Sequence, residues 1–117
     1  MSWTMIMIRT KTNSETIYEI KSENIIPFRQ TEIADAIKKI STELGADYDC
    51  DNLSCQYLGG GIGRDMWTIE FLVGEDAETE SVMLHRRGMA DWKTVFAALI
   101  AELNTRLIDG PTGDFIS

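Results

Sequence analysis

From Met66 to Val73 the side chains alternate in kind, with Trp67, Ile69, Phe71 and Val73 on one side of the chain and Thr68 and Glu70 on the other. A period of two over eight residues marks a strand with one buried face and one open face. The chain must therefore build a sheet and cover one side of it. Two further segments, 53–58 and 80–85, are expected to supply neighbouring strands. The run Gly59-Gly60-Gly61-Ile62-Gly63-Arg64 between the first two is expected as a hairpin turn or bulge, where glycine supplies the positive φ. The polar stretch 74–79 is expected as a solvated turn.

The covering layer comes from a second periodicity. Ile33, Ile37, Ile40 and Leu44 recur at spacings of four, three and four, which predicts a helix over 31–44. Thr31 is its expected N-cap, Glu32 and Asp35 suit the positive end of its dipole, and Gly45 suits the position just past its end. Trp92, Val95, Phe96, Leu99, Leu103 and Leu107 fall on one helical stripe. They predict a second helix with Asp91 as N-cap and Gly110-Pro111 as its stop. At the start of the chain, residues 3–10 form an expected strand that is apolar on both faces, paired in a hairpin with a strand at 16–20.

The expected order is ββαβββα: an α+β fold of two layers, with a mostly antiparallel sheet of about five strands and two helices packed on one face. At 117 residues the chain is expected to be a single domain, 1–117. Residues 112–117 lack periodicity and form a tail that is either flexible or docked through Phe115 and Ile116. No apolar run approaches the roughly 18 residues of a membrane helix, and the apolar N-terminal stretch lacks the charged flank and small-residue cleavage site of a signal peptide. Cys50 and Cys55, the two cysteines, are too few for a disulfide framework. They point to a reducing compartment, with the cytoplasm as the expected location.

The motifs that invite a chemical reading each lack a part. The glycine run has neither the third glycine of a dinucleotide loop nor the Lys-Ser/Thr pair of a phosphate loop, and it joins two strands where an anion site would need a helix N-terminus. Asp47-Tyr48-Asp49-Cys50-Asp51-Asn52 opens like a calcium loop, but Asn52 stands at the turn position reserved for glycine and Leu58 where a bidentate glutamate is required. A zinc site needs four ligands, and beyond its two thiols the chain offers one histidine, His85, and carboxylates, with no second Cys or His pair at zinc-ligand spacing. His85-Arg86-Arg87 resembles a base beside anion-binding arginines, yet no Ser or Cys stands in a nucleophile motif. No catalytic residue, cofactor or metal is therefore expected.

Charge is the informative feature. Residues 40–85 carry ten acids against one base, Arg64, whereas the rest of the chain holds nine acids and ten bases, so the net charge of −8 is carried by one central segment. Such a surface steers cationic partners and repels nucleic acid and anionic membrane. The expected function is a non-enzymatic binding module that neutralises a basic protein, of the type of a bacterial immunity protein inhibiting a nuclease toxin. The expected contacts are Asp47, Asp49, Asp51, Glu75, Asp76, Glu78 and Glu80, with Tyr48 and Tyr57 as aromatic anchors. Readings of the same class are a phage-encoded anti-defence inhibitor or DNA mimic and a secretion chaperone. A reading of another class is a small enzyme or ligand-binding domain built on the Gly59–Arg64 turn and His85, which requires those groups to line one concave pocket. The doubly apolar first strand also allows a homodimer.

Overall fold

The computed structural model describes residues 2–11 and 20–116. Its elements are β1 (Ser2–Ile8), β2 (Phe28–Arg29), α1 (Gln30–Leu44), β3 (Asp47–Asp49), β4 (Cys55–Gly60), β5 (Trp67–Leu72), β6 (Glu78–Thr79), β7 (Ser81–Gly88), α2 (Trp92–Leu103) and β8 (Arg106–Asp109). Six strands form one sheet in the order β3-β4-β5-β7-β1-β8, and β2 pairs with β6 in a second, small sheet. All of these pairings are antiparallel. The molecule is an α+β fold with two helices packed on one face of the main sheet.

Register explains which side chains are covered. Met5 lies opposite Leu84, Met7 opposite Val82 and Leu107, Leu84 opposite Phe71, and Ile69 opposite Leu58. All of these are buried and share one face with Ile33, Ile37 and Ile40 of α1 and Val95, Leu99 and Leu103 of α2. The alternation expected in β5 holds, with Ile69 and Phe71 fully buried and Thr68 exposed. β1 lies between β7 and β8; Met5 and Met7 of its inner face are fully buried under the helices, and on its other face Ile8 is buried and Ile6, opposite Ile108, half-buried. The strand expected at 16–20 lies outside the described residues except for Ile20, which is not in a strand.

The helix termini follow local chemistry, with two departures from expectation. Gly45 takes the left-handed conformation at φ 63°, and the Ala46 N–H returns to the Ser41 carbonyl at 2.8 Å, closing α1. Its N-cap, however, is Arg29 and not Thr31. The Gln30 N–H is already held by the Ala77 carbonyl at 3.0 Å and the Arg29 N–H by the Glu32 carboxylate at 3.3 Å, so the cap lies two residues earlier than expected. Asp91 caps α2 as expected, accepting from the Thr94 N–H. The helix does not reach Leu107. Asn104 turns left-handed at φ 50° and the chain enters β8, where Arg106, Leu107 and Ile108 are all buried.

Beyond β8, the Ile116 N–H donates to the Leu107 carbonyl at 2.8 Å, Phe115 bridges Ile108, and the Phe115 ring lies 3.6 Å from the Arg106 guanidinium carbon. Residues 112–116 thus run back along the β8 edge. Neither helix is long and apolar enough to cross a membrane.

Candidate functional site

The sheet parity separates the groups that an enzyme reading would combine. His85 pairs across to Thr4 and Glu70 on the face without helices, whereas Arg86 pairs with Trp3 and Ile69 on the helix-bearing face. The glycine run continues β4 through Gly60 and turns at Gly61, which lines a cavity of about 440 Å³ with Asp65, Trp67, Met89, Ala90 and Asp91. His85 lines none of the principal cavities. The largest of these, about 740 Å³, lies between α1, α2 and β2, and its charges are mostly paired among themselves. In it Arg9 binds Glu32 at 2.7 Å and the Pro27 and Leu103 carbonyls, Arg29 meets Glu78 at 3.5 Å, and Lys39 meets Glu102 at 3.3 Å. The Arg9 guanidinium and the Arg29 N–H hold the Glu32 carboxyl below its ordinary pKa, against the opposing effect of burial.

The acidic residues occupy an edge and an adjoining end of the sheet. Asp47, Tyr48 and Asp49 form the exposed edge strand β3, with both aspartates on the helix-free face, opposite Gly59 and Tyr57. Asp51 follows in the turn, its N–H donating to the Asp49 side chain at 3.1 Å. The 74–80 connection approaches this turn: the Val73 and Gly74 N–H groups both donate to the Ser54 carbonyl, at 2.9 and 3.1 Å. Glu75, Asp76, Glu78 and Glu80 are exposed there. Glu78 points to Arg29, so it belongs to the helix side and not to the edge. Among the described residues the ion pairs are Arg9–Glu32, Arg29–Glu78 and Lys39–Glu102, which leaves Asp47, Asp49, Asp51, Glu75, Asp76 and Glu80 without a cation.

The two tyrosines divide. Tyr48 projects on the helix side of the edge, half exposed, while Tyr57 stands on the open face between Asp49 and Glu70. The Cys55 thiol, two residues away on the same face, lies 3.4 Å from the Tyr57 hydroxyl. That thiol and then the Glu70 carboxylate push the phenol up to about 12, so Tyr57 stays neutral and able to donate a hydrogen bond throughout the physiological range. Burial, with Asp49 and Asp51 adding to it and Lys38 opposing, raises the Cys50 thiol. Both cysteines are free. Among the described residues no three His, Cys, Asp or Glu side chains converge as metal ligands.

The structure also assembles a site of which the sequence reading named only Arg86. At the end of the sheet opposite the 74–80 connection, Trp67 packs edge-on to Trp92 at 5.7 Å and Trp92 stacks on Phe96 at 5.8 Å. Arg86 runs among these rings, and burial lowers its pKa while Asp109 opposes that shift. Three apolar side chains stand in solvent on the adjoining loops: Ile62, Met66 and Met89, at 89, 57 and 71% exposure. An isoleucine flanked by glycines in a turn was the available signal, since a turn has no packing reason to hold it. The tryptophans carried none, because each lies in a segment whose periodicity already explained an apolar residue.

No protein-family model, curated protein or solved structure matches the chain. The functional reading therefore rests on geometry and charge.

Proposed function

We propose that this chain is a non-enzymatic binding module of the cytoplasm that captures a basic protein, in the manner of an immunity protein blocking a nuclease toxin. The observation that carries the reading is the set of exposed carboxylates, unpaired among the described residues, along β3 and the neighbouring 74–80 connection. Carboxylates without internal cations project their field outward, accelerating capture of a cationic surface and competing with an anionic substrate for it. Tyr57 beside Asp49 supplies a flat, half-exposed anchor with a hydroxyl that remains a donor. The divergence of His85, Arg86 and the glycine turn speaks against the enzyme reading, which needs them in one cleft.

The test compares the wild type with a variant carrying Asp47→Asn, Asp49→Asn, Asp51→Asn, Glu75→Gln and Asp76→Asn. Each is used to recover partners from the native host, and the captured protein is then titrated at 50 and 300 mM salt. Capture of one basic protein whose affinity falls at least tenfold both in the variant and at the higher salt supports the proposal. Recovery of no basic protein, or binding indifferent to these five charges, overturns it.

A further inference from the structure

We infer that the end of the domain around Arg86 is a binding site for a small organic carboxylate with an apolar body, independent of the acidic edge. Arg86 leaves β7 on the helix-bearing face with Trp3 as its neighbour on β1, and α2 lays Trp92 and Phe96 across it. The guanidinium carbon is 4.5 Å from the Trp3 ring, 5.1 Å from Trp92 and 5.2 Å from Phe96. Aromatic faces hold a cation in place but accept none of its five N–H donors in the plane of the fork.

Among the described residues those donors meet neither a hydrogen-bond acceptor nor an ion-pair partner, and Nε is closed off from solvent without one. Buried donors in folded proteins are nearly always satisfied, so Nε calls for an acceptor, while the terminal N–H groups of this partly buried side chain stay open to water or a ligand. Asp109 is the carboxylate that acts on Arg86 through space, but its oxygens accept from the Trp3 indole N–H and the Thr112 hydroxyl.

A cavity of about 220 Å³, lined by Trp3, Arg86, Gly88 and Trp92, opens onto the guanidinium. Its walls choose the ligand. A planar carboxylate matches the guanidinium fork with two parallel hydrogen bonds. The two indoles that line the cavity add apolar wall, which offers little to a hydrated ion such as phosphate and favours an apolar body. The volume lies below that of pockets taking drug-sized ligands, which limits the body to about one ring.

All three tryptophans of the chain are at this site or against it, so intrinsic fluorescence reports occupancy. Phenylacetate is titrated into the intact protein alongside its uncharged analogue phenylacetamide. The expected result is a saturable change in tryptophan emission with phenylacetate, half-complete at or below about 1 mM, and at least tenfold weaker binding of the amide. Arg86→Met, which keeps the apolar stem, is expected to weaken phenylacetate at least tenfold with an unchanged far-ultraviolet circular dichroism spectrum. If that variant does not fold, Arg86→Lys, which keeps the charge and loses the fork, is expected to weaken it several-fold. A linear, non-saturating response to phenylacetate, equal binding of the amide, or equally effective displacement by inorganic phosphate overturns the assignment.

Discussion

Replacing Ile108 with alanine distinguishes the observed end of the chain from the helix that its spacing suggests. If the stripe of Trp92, Phe96, Leu99 and Leu103 continued to Leu107, the helical turn of 100° per residue would carry Ile108 to the far, solvated side. There Ile108→Ala would be neutral or slightly stabilising, because alanine is the better helix former. In the structure Ile108 is 5% exposed, lies opposite Ile6 of β1 and is bridged by Phe115. Removing three buried carbons forfeits about 2.4 kcal/mol at roughly 0.8 kcal/mol each, and the residual cavity brings the expected cost to about 2–4 kcal/mol. With an unfolding entropy of about 2.1 cal/mol/K per residue over 117 residues, that corresponds to a fall in Tm of roughly 8–16 °C. Thermal unfolding followed by circular dichroism, with urea midpoints as a check, measures it. A change within about 0.5 kcal/mol of wild type refutes the strand assignment.

Three other consequences are open to measurement. Gly88→Ala is expected to destabilise by more than about 2 kcal/mol, because φ is +88° and the new Cβ would meet the Met66 carbonyl at 2.0 Å, whereas Gly63→Ala, at φ +62° with open space around it, is expected to cost about 1–2 kcal/mol. Equal urea midpoints for the two variants would contradict the close approach of the two loops. The lowered pKa of Glu32 means that its ionised form adds stability above the ordinary value of 4.5, and that this contribution disappears as pH falls through the folded-state pKa. The stability difference between wild type and Glu32→Gln should therefore shrink between about pH 5 and pH 3, and a constant difference would remove Arg9 as the cause. Cys55→Ala should bring the Tyr57 phenol down from about 12 toward its ordinary value of 10.0, seen as earlier tyrosinate absorbance at 295 nm in a Tyr18→Phe, Tyr48→Phe background. An unchanged titration would assign the shift elsewhere.

The parts of the fold that the sequence disclosed are those in which one periodicity persists for several residues. Ile33, Ile37 and Ile40 could be placed on the inner face of α1, and Ile69 and Phe71 on the inner face of β5, because only one arrangement buries each set. β3 escaped because Asp47-Tyr48-Asp49 is three exposed residues, too few to alternate and held in place by pairing with β4. β8 escaped for the opposite reason. Leu107 continues the helical stripe by coincidence, and the break at Asn104 is a left-handed residue whose side chain tolerates that conformation without requiring it. Of the expected contact residues, the sequence placed Asp47, Asp49 and Asp51 near one another through chain continuity. Their proximity to Glu75 and Asp76 depends on the Ser54 carbonyl holding two β5-side N–H groups, a tertiary fact with no local signature.

Strand order also decides how the two proposed sites relate. The acidic strand β3 is at one edge of the sheet, while Arg86 and Trp3 sit on β7 and β1, with β4 and β5 intervening. Asp47 and Asp49 project from the helix-free face and Arg86 from the helix-bearing one. At physiological ionic strength fields are screened beyond about 8 Å, and the sheet with its core lies between the two sets of charges. Neutralising the five carboxylates should accordingly leave carboxylate binding at Arg86 within about twofold, since any residual repulsion they exert is screened. Conversely, Arg86→Met should leave the salt dependence of partner capture intact. A reciprocal effect of either change on the other site would require a two-state element linking β3 to β7, and the continuous antiparallel ladder through β4 and β5 offers a single register for such a link.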